Sequence, residues 1–221
     1  MFLVKFMSKK SIRIPKYSLG EELVNSISHG IGAGLAIAGL VLMMIKANTP
    51  LEYVTCSLFG AAMIILYTMS CIYHALSPKL EGKKVLRVLD HCNVYLLVLG
   101  TYIPISLLGI GGILGWVMFG IVAGITVIGI TFTAINIDKF SFVSVLCHLI
   151  NGWSVLFALP FMLNNIGLNG VIFTVMGGIM YSIGAVLYWR GAKIKYIHSI
   201  FHFFCLAGTI FHFLAIYLFI L

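Results

Sequence analysis

Apolar residues fill this chain in long runs broken by short polar stretches, and those runs set its organisation. Seven of them approach the length of about 20 residues that a helix needs to cross a bilayer. They fall at about 24–45, 50–75, 88–108, 113–134, 142–163, 171–189 and 196–219. The pattern predicts an all-α polytopic membrane protein: a basic segment at 1–20, then a seven-helix transmembrane domain at 21–221. The punctuation agrees, with Pro50 at a helix start, Ser77-Pro78 at a stop, and Gly109 to Gly112 and Asn164 to Gly170 at turns. Pro104 is expected to kink the third run or free a backbone carbonyl there. Gly30, Gly32, Gly34 and Gly39 give the first run a small-residue face for close helix packing.

Composition supports this reading. Hydrophobic residues make up 61% of the 221 and charged residues 9%, against about 25% charged in a soluble domain. Mean hydropathy is +1.10. The net charge of +8 raises the question of nucleic acid, but its placement argues for membrane topology instead. Lys5, Lys9, Lys10, Arg13 and Lys16 precede the first run, Lys79, Lys83, Lys84 and Arg87 share one connection, and Arg190, Lys193 and Lys195 another. With seven spans these clusters and Lys139 share one side, leaving Lys46 opposite, which predicts a cytoplasmic N-terminus and an external C-terminus. The same residues can touch anionic headgroups. Residues 1–6 are too short, and too interrupted by Lys5, for a signal-peptide core, and Met7 is an alternative start. The five cysteines are scattered without a CxxC pair and read as small core residues.

Against this apolar background the polar residues inside the runs carry the chemistry. His198 and His202 are four apart at the start of the last run, so both imidazoles share one helix face, the geometry of two ligands to one metal. Ser70 and His74 end the second run on the same side of the membrane, and Asp90 opens the third there, where the positive end of a helix dipole favours a carboxylate. Three imidazoles with an open position would make a catalytic zinc site, with Asp90 to hold or deprotonate the water and Ser70 to orient water or a carbonyl. Glu22, Asn25 and His29 share a face of the first run and are candidates to orient that site, although polar groups so near the interface can also be merely solvated. Packing is the competing reading for each lone membrane histidine, and for His148 with Asn151 hydrogen bonding between helices is favoured. His212 lies 14 residues beyond His198, about 21 Å along a helix, and cannot share its metal.

These motifs carry a family resemblance. Glu22-x-x-Asn25-x-x-Ser28-His29, Ser70-x-x-x-His74, Leu89-Asp90 followed by Gly100-Thr101-Tyr102-Ile103-Pro104, and His198-x-x-x-His202 with His212 resemble the bacterial haemolysin III family. That family is related to the progestin and adipoQ receptors and more distantly to alkaline ceramidases. The resemblance runs from Glu21 to Phe219. It implies seven helices in a bacterial plasma membrane, a zinc ion (Zn2+) near the cytoplasmic face held by His74, His198 and His202, a water-holding Asp90 and a nearby Ser70. It also implies membrane lipids as partners, since relatives include receptors and lipid amidases. The cell lysis in the family's name is a label that no residue here supports.

Three functions compete on this reading. The first is a zinc hydrolase of a membrane lipid amide or ester, and the second a non-catalytic regulator in which zinc braces the second and seventh helices. A haem protein is the third. It would need a histidine facing the His198–His202 helix at matching depth, for which only His29 or His74 serves.

Overall fold

The computed structural model describes residues 12–191 and 194–221. Lys5, Lys9, Lys10 and Lys193, the proposed start at Met7 and the signal-peptide question at 1–6 therefore lie outside the described residues. Within them the chain is helical, with no strand. The elements are α1 (Leu19–Lys46), α2 (Pro50–Ala75), α3 (Gly82–Pro104), α4 (Gly112–Asn136), α5 (Ser141–Trp153), α6 (Leu159–Gly191) and α7 (Ile197–Ala215). Among the described residues, six helical stretches are long and apolar enough to cross a membrane, with Ser141–Arg190 counted as one.

Local chemistry explains the starts. Ser18 and Glu21 close a capping box on α1, and Thr49 and Glu52 close another on α2, which has Pro50 in its first turn. Glu21 does more than cap. Its carboxylate accepts hydrogen bonds from the Ser18 N–H (2.8 Å) and hydroxyl (2.7 Å) and from the Tyr196 N–H (2.8 Å). Tyr196 precedes α7 in a left-handed conformation, φ 63°. Glu21 thus fixes where α7 begins.

The bundle turns apolar side chains outward and keeps its polar residues inside, next to an apolar core. On α1, Leu23, Ile27, Ile31 and Leu35 form an exposed stripe at four-residue spacing, whereas Asn25, Ser28, His29 and Gly32 turn inward. Gly32 packs on the Tyr67 ring and Gly39 on Phe213, while Gly34 of the same small-residue face meets nothing. The cluster at the centre of the bundle includes Phe59, Met63, Tyr67, Leu97, Met118, Met162 and Ile216.

Three boundaries differ from the sequence expectation. First, α3 begins at Gly82 rather than near 88, because Lys83 and Arg87 are buried ion-pair partners and the basic stretch is already helical. Second, a π-helical turn at Ile105–Ile110 follows Pro104, which has no N–H to continue the ladder. Third, the loop expected at 164–170 is helical apart from Gly167, whose φ 69° and ψ 175° only glycine tolerates readily. The chain doubles back there. The Trp153 indole N–H donates to the Ser182 hydroxyl at 2.9 Å, although residues 29 apart on one straight helix would be about 44 Å apart.

Candidate metal centre

The end of α2 and the start of α7 meet beside the first turns of α1. His74, His198 and His202 are buried there, and one ring nitrogen of each lies within 4.8 Å of the others. The two α7 histidines point Nε2 at Nε2 across 3.2 Å. Ligands of a tetrahedral zinc at about 2.05 Å from the ion sit about 3.3 Å apart, so this pair already has a ligand spacing. The pair follows from helix geometry alone, since i and i+4 stack on one face.

His74 is oriented by what lies behind it. Its Nδ1 is 2.6 Å from Glu22 Oε2, and an ionised carboxylate only accepts, so Nδ1 carries the proton and donates. The lone pair is left on Nε2, which is buried without a hydrogen-bond partner among the described residues. A carboxylate behind a histidine in this way fixes the tautomer of a metal ligand. The Asn25 amide lies 3.4 Å from the same Nδ1. The Lys83 ammonium donates to Glu22 Oε1 at 2.5 Å and to the Leu76 carbonyl at 2.8 Å, and is fully buried. The donor set, the 3.2 Å spacing of the α7 pair and the orphaned His74 Nε2 fit a divalent cation of zinc type with imidazole ligands.

Ser70 and Asp90 line a cavity of about 140 Å³ that also touches His29 and His202. Ser70, Asp90 and His29 thus line the same cavity as His202, while Glu22 and Asn25 stand behind His74. The cavity continues between α3, α5, α6 and α7 past mainly apolar side chains as far as His212. His202 and His212 are ten residues apart, so it reaches about 15 Å along α7, half the hydrocarbon thickness of a bilayer. Asp90 lies two turns into α3 rather than in its first turn, so the helix dipole does little for it. Its Oδ2 is 3.7 Å from His91 Nδ1. His29 stacks face to face on His202, ring centroids 3.8 Å apart, which leaves no room for a haem between them.

Four residues of this region escaped the sequence reading. Glu21 was read only as the start of the resemblance and Lys83 and Arg87 only as topology signals, yet Glu21 fixes the start of α7, Lys83 neutralises Glu22, and Arg87 Nη1 binds Asp138 Oδ1 at 2.9 Å. Two of the four basic residues in that connection are thus buried in ion pairs. The fourth is Tyr17. Its ring stacks on His198 at 4.9 Å and covers the site from the side of the chain's start, and burial pushes its phenol well above the ordinary value. The strap carrying Tyr17 is held where Arg87 donates to the Arg13 carbonyl at 2.6 Å and the Arg13 N–H to Asp138 at 3.2 Å. A lone aromatic before a helix gives no signal of this.

The remaining polar residues have structural partners. Asn151 donates across to the Val122 carbonyl (3.3 Å) and Thr126 hydroxyl (3.1 Å) of α4, and His148 stacks on Tyr95. His212 donates to the Thr174 carbonyl at 3.0 Å, far from the cluster.

Fold and site together define a multi-pass, all-helical membrane protein with a buried three-histidine cluster at one end of its bundle. The chain belongs to the haemolysin-III related family, whose model matches residues 17–213. It is 34% identical to "Hemolysin-3" of Bacillus cereus, over 97% of this chain and 98% of that protein. It is 33% identical to the "Hemolysin-3 homolog" of Bacillus subtilis (strain 168), over 87% and 91%. The human "Monocyte to macrophage differentiation factor" is similar at 24% identity, over 89% and 83%.

Proposed function

We propose that this protein is an integral-membrane zinc hydrolase of a membrane lipid amide or ester. The observation that carries the reading is the juxtaposition of three convergent imidazoles with an apolar cavity that one of them, His202, lines together with Asp90 and Ser70. Bound zinc would polarise a carbonyl and lower the pKa of its water to about 7. Asp90 would accept a proton from the attacking water and return it to the leaving group. Ser70 orients the carbonyl, Glu22 holds His74 in its donor tautomer, and Asn25 packs beside them. The apolar lining accommodates the acyl chain and excludes bulk water.

The same proposal includes seven crossings. The 50-residue stretch Ser141–Arg190 is over twice the length of one span, and its two halves lie side by side. Residues 1–20 are then a cytoplasmic segment, 21–221 the membrane domain, and the C-terminus external, as the basic connections favour.

A second reading is favoured by one feature: His74 lies on α2 and His198 with His202 on α7, so a metal there also ties two helices together. In that reading the protein is a zinc-braced regulator of lipid state, without turnover. Turnover of lipid amides and esters in proteoliposomes separates the two. The hydrolase reading predicts loss of activity in His74→Ala and a fall of at least about hundredfold in Asp90→Asn. Turnover that survives both variants, or is absent for every lipid pool in zinc-loaded wild-type protein, contradicts it.

A further inference from the structure

Seven histidines are spread through the bundle, and their ring nitrogens are satisfied to different degrees. His74, His198 and His202 converge on one point. His91 donates from Nδ1 to the Arg87 carbonyl at 2.8 Å and meets the Tyr188 hydroxyl through Nε2 at 2.9 Å. His212 is held by Thr174, and His148 is stacked on Tyr95 and only half-buried, with its Nδ1 lacking a partner among the described residues. His29, 4% exposed, alone has both ring nitrogens buried and unpartnered among the described residues.

A neutral imidazole always carries one N–H donor and one acceptor. Burying both unsatisfied is costly, and a group left so in a native protein calls for an explanation. His29 lines the cavity at its metal end, together with Ser70, Asp90 and His202. The stack on His202, tilted by only 20°, and the edge contact with Tyr67 at 5.0 Å fix the plane of its ring. The ring is therefore held rigidly, one van der Waals layer from a metal ligand, with its polar atoms unused.

We propose that His29 is a substrate-contacting residue, whose N–H donates a hydrogen bond to the carbonyl oxygen of an acyl lipid lying in the cavity. The inference rests on the lipid reading above and adds to it a recognition group on α1. His29 holds the carbonyl while Ser70 and the metal ligands stay in place, and the same hydrogen bond strengthens as negative charge develops on that oxygen. In the absence of a carbonyl ligand the donor goes unsatisfied, which makes the site selective for an oxygen-bearing chain over a plain hydrocarbon.

The test is equilibrium binding of two probes to the detergent-purified full chain: 2-heptadecanone, a carbonyl with no leaving group, and heptadecane, its alkane counterpart. Zinc content is measured on the same samples. His29→Phe keeps the stack on His202 and removes the donor. It is expected to weaken ketone binding about tenfold, with alkane binding and zinc content unchanged. His29→Gln, which retains an N–H donor, is expected to recover part of the difference. A ketone loss no larger than the alkane loss overturns the assignment, because the ring then acts by packing. Loss of zinc in His29→Phe overturns it too, because the ring then braces His202. If neither probe binds wild-type protein, the lipid reading of the cavity has failed and takes this inference with it. Ketone and alkane binding equally well to the wild type sinks the role of His29 alone.

Discussion

Glu22 shows how much one side chain decides here. It stands between the candidate ligand His74 and the buried ammonium of Lys83, and each of its oxygens serves one of them. Removing its charge has two effects that can be measured apart. The ligand loses the carboxylate that raises its basicity, so Glu22→Gln should weaken zinc binding roughly 10- to 100-fold in a chelator competition. Lys83 is left without its counter-ion, so unfolding should also become easier by about 3–5 kcal/mol. Lys83→Met takes away the other partner, and the Glu22→Gln/Lys83→Met double variant should cost less than the sum of the single variants. Strict additivity in thermal denaturation would show that the pair does not act as a unit. The clustered histidines, and Asp90 and Ser70 on the cavity wall, could be singled out in the sequence because polar groups inside apolar runs stand out. Lys83 and Arg87 could not, because in a connection rich in basic residues a buried cation looks like a solvated one. Their partners, Glu22 and Asp138, lie 61 and 51 residues away.

Helix runs were legible because lipid imposes a single length on them, whereas helix ends were less so. Hydropathy marks where a helix leaves the bilayer, and α3 continues past that point because Lys83 and Arg87 are neutralised inside the protein. The reversal at Gly167 was placed correctly in the sequence, but as a loop, since a cluster of Asn and Gly normally signals one. A single backbone conformation does the work instead. Gly167→Ala should therefore destabilise the protein by about 1–3 kcal/mol. Gly34→Ala, in an open stretch of α1 where an added Cβ meets nothing, should be neutral or slightly stabilising. Thermal unfolding in one detergent compares them directly, and equal melting temperatures would contradict the assigned turn. The start of α7 gives a further element-scale expectation. Glu21→Ala removes the carboxylate half of the α1 capping box and the hydrogen bond to Tyr196, so it should lower stability by about 1–2 kcal/mol and loosen the helix that presents His198 and His202. Unchanged melting and unchanged zinc retention would show that α7 is positioned without it.

At the scale of the whole molecule, the three-histidine cluster and the strap with Tyr17 share one end of the bundle, with an apolar cavity reaching about 15 Å from them, and the proposed topology makes that end cytoplasmic. Orientation is open to direct measurement. A membrane-impermeant maleimide applied to intact cells should label Asn48→Cys and spare Lys79→Cys until the cells are permeabilised; the reverse pattern would invert the topology. The central claim is that the cluster holds a metal. Metal content by mass spectrometry of detergent-purified, chelator-free protein, beside the His198→Ala/His202→Ala double variant, tests it most directly. The account predicts about one zinc per chain in the wild type and none in the variant. Folded wild-type protein without metal, or a variant that keeps its zinc, would contradict it.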